Sequence, residues 1–252
     1  MSLYGLIGYP LSHSFSKKYF TKKFEEEDLK NCAYENFPIP SINELKGVLA
    51  LPALQGFNVT IPYKELVIPF LHHSSEIVKK IGACNCIKIL EGKLYGFNTD
   101  VFGFENSLAN KLDPAIHRQA LILGTGGSSK AVRFVLEKLK IRFTSVSRKP
   151  AAGCLSYEQI TKEIIQSNQL IINTTPLGMF PNIVEAPPLP YQFLTPSHYL
   201  VDLIYNPEKT LFLKKGEDSG AQIQNGYEML VLQAEKSWKI WNNPVELLTG
   251  NF

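Results

Sequence analysis

Four short stretches gather hydroxyl, amide, ammonium and carboxylate side chains where apolar runs give way to turns. They are S-H-S-F-S at 12–16, N-V-T-I-P-Y-K at 58–64, G-A-C-N at 82–85 and G-F-N-T-D at 96–100. Ligands of α/β sheets bind beyond the carboxyl ends of strands, so polar residues at such places are candidate contacts. The set supplies several donors, one ammonium and one carboxylate. That suits a small polyhydroxylated acid better than an apolar ligand or a metal. Each residue also has a structural alternative. Ser14 and Ser16 are good helix caps, Asn58 and Asn85 can fix turns, and Asp100 can cap its own helix.

The ammonium and the carboxylate suggest a reaction. Reducing a ketone to an alcohol needs a hydride on carbon and a proton on oxygen. The protein must align the hydride donor and stabilise charge growing on oxygen. Lys64 is suited to donate to a developing alkoxide, and Asp100 to orient both the lysine and a substrate hydroxyl. Either can be the formal proton donor, because an interacting pair titrates as a unit. The competing reading is a structural salt bridge across a cleft.

A hydride needs a carrier, and L-I-L-G-T-G-G-S-S-K-A at 121–131 is a candidate cradle for one. Gly124 permits a tight turn and Gly126 lets backbone approach a pyrophosphate. Gly127, Thr125 and Ser128 lead into a helix whose first N–H groups lack partners. Ser129 stands where the dinucleotide fingerprint has glycine or alanine, and the absence of a G-K-S/T ending disfavours phosphoryl transfer. The following strand ends in Ser147, Arg148 and Lys149, with no acid to receive ribose hydroxyls. Cations there would accept a 2′-phosphate, which favours NADP over NAD. A solvated basic turn is the alternative.

These residues need a scaffold. The chain has 252 residues, 44% hydrophobic and 19% charged, enough for one large domain or two smaller ones. Strands are expected at 3–8, 32–37, 54–59, 86–90 and 94–97, the last two as a hairpin around Glu91-Gly92-Lys93. Helices are expected from Ser16 to about Glu26, near 42–50, up to Ile81 before Gly82, and from Asp100 to about Ala109. Beyond these come strands at 119–123, 142–147, 169–173 and 200–203. Helices are expected from about Ser129 to Leu139, near 157–165, and from Gly226 to Trp238. Between 174 and 190 the prolines exclude a regular element, and the segment around Gly178 and Pro181 is a candidate moving lip. The expected architecture is α/β, with the first domain over 1–100, completed by 227–252, and the second over 101–226.

A net charge of +3, with no basic stripe, gives no support for nucleic acid. Apolar runs fall short of the roughly 18 residues that span a bilayer, and the first residues lack a signal-peptide pattern. A cytoplasmic location is therefore expected. Cys32, Cys84, Cys86 and Cys154 read as reduced thiols, with Cys84 and Cys86 on the same side of a strand if both lie on one. His72-His73 and His13 lack metal-ligand spacing, so no metal is expected.

In order and spacing, G-Y-P-L-S-H-S-F-S, N-V-T-I-P-Y-K, G-A-C-N, N-T-D, G-T-G-G-S-S, N-T-T-P-L-G and G-Y-E-M-L-V-L-Q-A resemble the shikimate dehydrogenase family, from Tyr4 to about Trp238. The resemblance implies NADP-dependent, reversible reduction of 3-dehydroshikimate to shikimate, a step toward chorismate and the aromatic amino acids. It implies an N-terminal substrate domain, a Rossmann-like NADP-binding domain, and a last helix packing back on the first. By that resemblance Ser14 and Ser16 hold the substrate carboxylate, and Thr60, Lys64, Asn85 and Asp100 bind the ring hydroxyls. Gln233 reaches a hydroxyl and Tyr205 lines the pocket. Gly124 to Ser129 take the pyrophosphate. Asn173, Thr174 and Thr175 pass beside the nicotinamide ribose, and Gly226 joins the cofactor contacts. Family members commonly carry N-R-T and a further arginine for the 2′-phosphate. This chain has S-R-K, which keeps Arg148 and leaves Lys149 to substitute. Members occur as monomers and dimers. The alternatives are a quinate/shikimate dehydrogenase of wider scope and an NADPH-binding regulator without turnover.

Overall fold

The computed structural model describes residues 1–11, 14–149 and 153–244. Ser12 and His13 of the first polar stretch lie outside them. The chain divides into two compact units, residues 1–99 with those from 234 onward, and residues 100–233.

The first unit runs β1 (Ser2–Gly8), α1 (Phe15–Glu26), β2 (Cys32–Pro38), α2 (Leu45–Leu49), β3 (Leu54–Val59), β4 (His73–Ser74), α3 (Glu76–Ile81), β5 (Cys86–Leu90) and β6 (Lys93–Phe97). Strands order β2-β1-β3-β5-β6-β4, and β5 alone runs against the others. The carboxyl ends of β1, β2, β3 and β6 therefore share one edge with the amino end of β5. That edge receives the residues following β1 and β3, the residue before β5, and the residues after β6.

The second unit contains α4 (Thr99–Ser107), β7 (Gln119–Leu123), α5 (Gly127–Lys138), β8 (Arg142–Val146), β9 (Cys154–Leu155), α6 (Lys162–Ser167), β10 (Leu170–Asn173), β11 (Tyr199–Asp202), α7 (Leu211–Asp218) and β12 (Gln222–Gln224). All its pairings are parallel, in the order β12-β11-β10-β7-β8-β9. The order reverses between β7 and β10, the crevice where doubly wound sheets bind nucleotides. The last helix, α8 (Tyr227–Asn242), begins in this unit and ends in the first.

Strand alternation builds two cores in the first unit. Ile7, Phe57, Val59, Ile87 and Leu94 face α2, α3 and the turns after β3. Tyr4, Leu6, Tyr34, Cys86 and Phe97 face Phe20 and Phe24 of α1, with Ala234, Ile240 and Trp241 of α8. Trp241 stacks on Tyr4 with ring centroids 4.9 Å apart, and its Nε1 donates to Ile87 O at 3.0 Å. Only glycine fits beneath it, since a Cβ on Gly56 would lie 2.5 Å from the indole. Buried Lys88 donates to the carbonyls of Ile240 and Asn243, closing the end of α8 with a cation.

Several expected elements shift. Helix α1 starts at Phe15 with Ser14, not Ser16, at the capping position. Helix α5 starts at Gly127 rather than Ser129, because extended Gly126 ends the turn. The helix expected near 157–165 divides into a 3-10 turn, Tyr157–Gln159, and α6. The break follows from Ile160 being extended, after which the Thr161 side chain accepts from Ile164 N at 3.4 Å and starts a new helix. Cys84 and Cys86 pack into different cores, because β5 begins only at Cys86. Among the described residues no helix is long and apolar enough to cross a membrane, and no cluster of His, Cys, Asp and Glu could hold a metal.

Candidate active site

In the first unit the stretches at 58–64 and 82–85 converge on the shared sheet edge. Thr60 follows β3 directly; its N–H donates to Ile7 O at 2.9 Å, and its carbonyl accepts from Tyr63 N at 2.9 Å. This closes a turn through Ile61 and Pro62 and delivers Lys64. The Lys64 carbonyl accepts from Cys84 N at 2.7 Å, which pins the lysine's backbone beside Asn85. Asn85 is buried, and Thr99 grips both ends of its amide. Thr99 N donates to Asn85 Oδ1 at 2.6 Å, while Asn85 Nδ2 donates to Thr99 Oγ1 at 3.0 Å. The Ser14 hydroxyl oxygen is buried without a hydrogen-bond partner among the described residues, an acceptor and donor held away from water. Such an atom is costly to leave unmatched, and a bound carboxylate would satisfy it. Burial pushes the Tyr34 hydroxyl well above the ordinary phenol range, and the Ser16 side chain works against that shift.

Asp100 opens α4 in the second unit and is 6% exposed. Gln233, 7% exposed, lies on α8 where that helix meets α4. The crossing is close: a Cβ on Gly103 would lie 3.0 Å from Gln233 Cβ and 2.6 Å from Met229 O. Tyr205 is half-buried, three residues past Asp202 at the end of β11.

At the reversal of strand order, Gly124 has φ +107, and a Cβ there would lie 2.7 Å from Thr174 Oγ1. Glycine is required by both backbone and contact. A Cβ on Gly126 would meet nothing within 4 Å, leaving open space before the start of α5. Gly126 offers α5 no side-chain cap, so the first N–H groups, with Thr125, Gly127 and Ser128 around them, are placed to receive a phosphate. Ser129 is fully buried and its hydroxyl donates back to Gly126 O at 2.7 Å, so its side chain shapes the loop. Beyond β8, Ser147 Oγ accepts from Lys149 N at 3.3 Å, and Arg148 and Lys149 are exposed. The donor set therefore fits a phosphorylated dinucleotide.

Asn173, Thr174 and Thr175 follow β10 at the same crevice. Thr174 N and Oγ1 both donate to Leu123 O, at 2.9 Å and 2.7 Å. Asn173 Oδ1 accepts from Thr175 N at 3.0 Å and Thr175 Oγ1 at 2.6 Å. Gly226 N donates to Ile204 O at 2.9 Å, and a Cβ on Gly226 would fall 2.1 Å from Leu203 O.

Sequence reading misjudged one polar residue and overlooked others. Asn58 fixes no turn; it lies on β3 and joins Tyr34, Asn85 and Ser237. Asp202 is fully buried at the end of β11. Its signal was an acid closing the apolar run Y-L-V-D; Ser237 had none inside an amphipathic helix.

The family model for the shikimate dehydrogenase substrate binding domain matches residues 6–87. A shikimate dehydrogenase (NADP(+)) from Clostridium beijerinckii is 39% identical over 96% of this chain and 92% of its own length. The chain belongs to the shikimate dehydrogenase family. A shikimate dehydrogenase from Peptoclostridium difficile superposes with a TM-score of 0.84 at 38% identity, covering 96% of this chain and 91% of that one. A shikimate 5-dehydrogenase from Thermus thermophilus, in complex with NADP(H) and shikimate, has a TM-score of 0.83 at 29% identity, covering 96% and 94%. The likeness thus extends over both halves of a shikimate dehydrogenase.

Proposed function

We propose that this chain is an NADP-dependent shikimate dehydrogenase, reducing 3-dehydroshikimate reversibly to shikimate on the way to chorismate and the aromatic amino acids. The observation that carries the reading is near-full-length likeness to enzymes of that name. The convergence of Thr60, Lys64 and Asn85 on one sheet edge supports it.

NADPH supplies the hydride; the remaining work falls to the chain. Ser14 and Ser16 hold the substrate carboxylate. Thr60, Asn85, Gln233 and Tyr205 fix the ring and its hydroxyls, which sets the face that receives hydride. The Lys64 ammonium donates to the carbonyl oxygen as negative charge develops there, and Asp100 orients the lysine and the neighbouring hydroxyl. Ketone, NADPH and one proton yield alcohol and NADP, so the proton delivered through this pair balances the reaction. Residues 124–129 hold the pyrophosphate, Ser147 to Lys149 the 2′-phosphate, and residues 173–175 with Gly226 the nicotinamide end.

The proposed substrate domain is 1–100, completed by 227–252, and the cofactor domain is 101–226. The enzyme acts in the cytoplasm as a monomer or homodimer, which fractionation and sedimentation test. The deciding assay is NADPH oxidation at 340 nm on adding 3-dehydroshikimate, repeated with NADH and, in reverse, with quinate. Loss of absorbance with 3-dehydroshikimate and NADPH is expected, and EDTA should leave the rate unchanged. NADPH binding with no turnover would make the chain a regulator instead.

A further inference from the structure

Beneath the substrate edge of the first unit, buried side chains form a closed hydrogen-bonded ring. Asn58 Nδ2 donates to Asn85 O at 3.2 Å and to Ser237 Oγ at 2.9 Å. The hydroxyls of Ser237 and Thr99 lie 3.2 Å apart, and Thr99 Oγ1 accepts from Asn85 Nδ2 at 3.0 Å. The orientation is set from outside the ring, because Tyr34 OH donates to Asn58 Oδ1 at 2.9 Å. That bond turns the Asn58 amide so that its N–H groups face Ser237 and Asn85. A continuous path therefore runs from Tyr34 to Asn85 through Asn58, Ser237 and Thr99. Each of Tyr34, Asn58, Ser237, Thr99 and Asn85 is at most 5% exposed.

Polar networks in low dielectric are strong when satisfied, and losing one member leaves its neighbours unpaired. Here the members come from β2, β3, the turn before β5, the start of α4 and the last helix. Ser237 is the member that α8 contributes. The residue after Thr99 is Asp100, so the torsions that seat the Thr99 hydroxyl also set where the chain enters α4.

We propose that Ser237 and Thr99 are positioning residues, through which the C-terminal helix fixes the Asn85 amide and the approach to Asp100 for ring-hydroxyl recognition. The inference rests on the dehydrogenase reading above. Neither hydroxyl needs to touch substrate; both act through Asn85.

The test compares steady-state kinetics of the wild-type chain with Ser237→Ala, Thr99→Val and Thr99→Ser. Ser237→Ala should raise KM for 3-dehydroshikimate about five- to twenty-fold while KM for NADPH stays within about twofold, a split that general destabilisation does not produce. Thr99→Val, isosteric without the hydroxyl, should raise the same KM and also lower kcat. Thr99→Ser should recover most of the loss. It also keeps the test decisive if Ser237→Ala fails to fold, since Thr99→Val against Thr99→Ser isolates one hydroxyl. A lower melting temperature in Ser237→Ala and Thr99→Val with wild-type KM and kcat would overturn the inference and leave the ring a structural device. Absence of turnover by the wild-type chain would instead overturn the dehydrogenase reading, and this inference with it.

Discussion

Asn173 and Asp202 stand directly opposite each other at the ends of β10 and β11, and Asn173 Nδ2 donates to Asp202 Oδ1 across 3.1 Å. The same oxygen accepts from Ile204 N at 3.0 Å, while Thr210 Oγ1 donates to Oδ2 at 2.6 Å. One carboxyl thereby fixes the segment from Asn173 to Thr175, the turn leading to Tyr205 and the cap of α7. It also decides that the Asn173 amide presents oxygen, not nitrogen, to Thr175.

Burial raises the Asp202 carboxyl from 3.8 to about 7, although its three hydrogen bonds oppose the shift. An acid raised on folding favours the protonated native state. Its stabilising contribution is complete below about pH 4 and is lost as pH rises through about 7. The span corresponds to about 4 kcal/mol. Asp202→Asn keeps acceptor Oδ1 and lets an amide donate to Thr210, so it should flatten that part of the pH–stability profile. Asp202→Ala leaves Asn173, Ile204 and Thr210 short of partners and should cost at least about 3 kcal/mol. Urea denaturation from pH 4 to 8 measures both; identical slopes for wild type and Asp202→Asn would refute the assignment.

For the proposed catalytic pair, Lys64→Ala should lower kcat at least ~100-fold with the fold intact. Asp100→Ala should lower kcat and raise substrate KM together, because it would lose both orientation and a hydroxyl contact. Near-normal turnover by Lys64→Ala would remove the lysine from proton delivery.

Cofactor choice rests on the turn after β8. Arg148→Ala should raise KM for NADPH about tenfold or more and leave KM for NADH nearly unchanged, since only NADPH carries the 2′-phosphate. Lys149→Ala should act in the same direction more weakly, as a point charge without a bidentate fork. Wild-type preference for NADH would contradict both expectations.

The first unit's stability should depend on α8. Trp241→Ala removes a ring packed on Tyr4 and Phe20 together with a bond to Ile87, at a cost of about 3–5 kcal/mol. Gly56→Ala should be comparably disruptive, because the indole already occupies that space. Calorimetry of both variants would show it; an unchanged transition for Gly56→Ala would mean that the indole yields without penalty.

Much of the scaffold was legible because strand alternation and glycine punctuation are local signals. The runs at 54–59, 86–90 and 119–123 carried their own boundaries, and the structure has strands over those ranges. Helix α7 and strands β4, β9 and β12 escaped. The short strands carry two or three residues of pattern, and α7 starts from Thr210, whose capping bond to Leu213 N is visible only once Asp202 is in place. The polar stretches announced themselves through residue type. Tyr34 and Ser237 did not, because a buried hydroxyl becomes meaningful only beside a partner distant in sequence.

The first unit is discontinuous, and synthesis must contend with that. Residues 1–99 emerge early, yet the aromatic face of Tyr4, Phe20, Phe24 and Tyr34 stays bare until Trp238 and Trp241 leave the ribosome. The second unit, continuous from 100 to 233, has all its strands available first. On this basis the hypothesis is that the nascent chain matures out of order, its middle before its beginning. A ribosome-bound chain stalled once residue 233 has emerged should then resist protease across the second unit and be cut within the first; equal protection of both would argue against it. The exposed aromatic face would meanwhile be a natural hold for a chaperone.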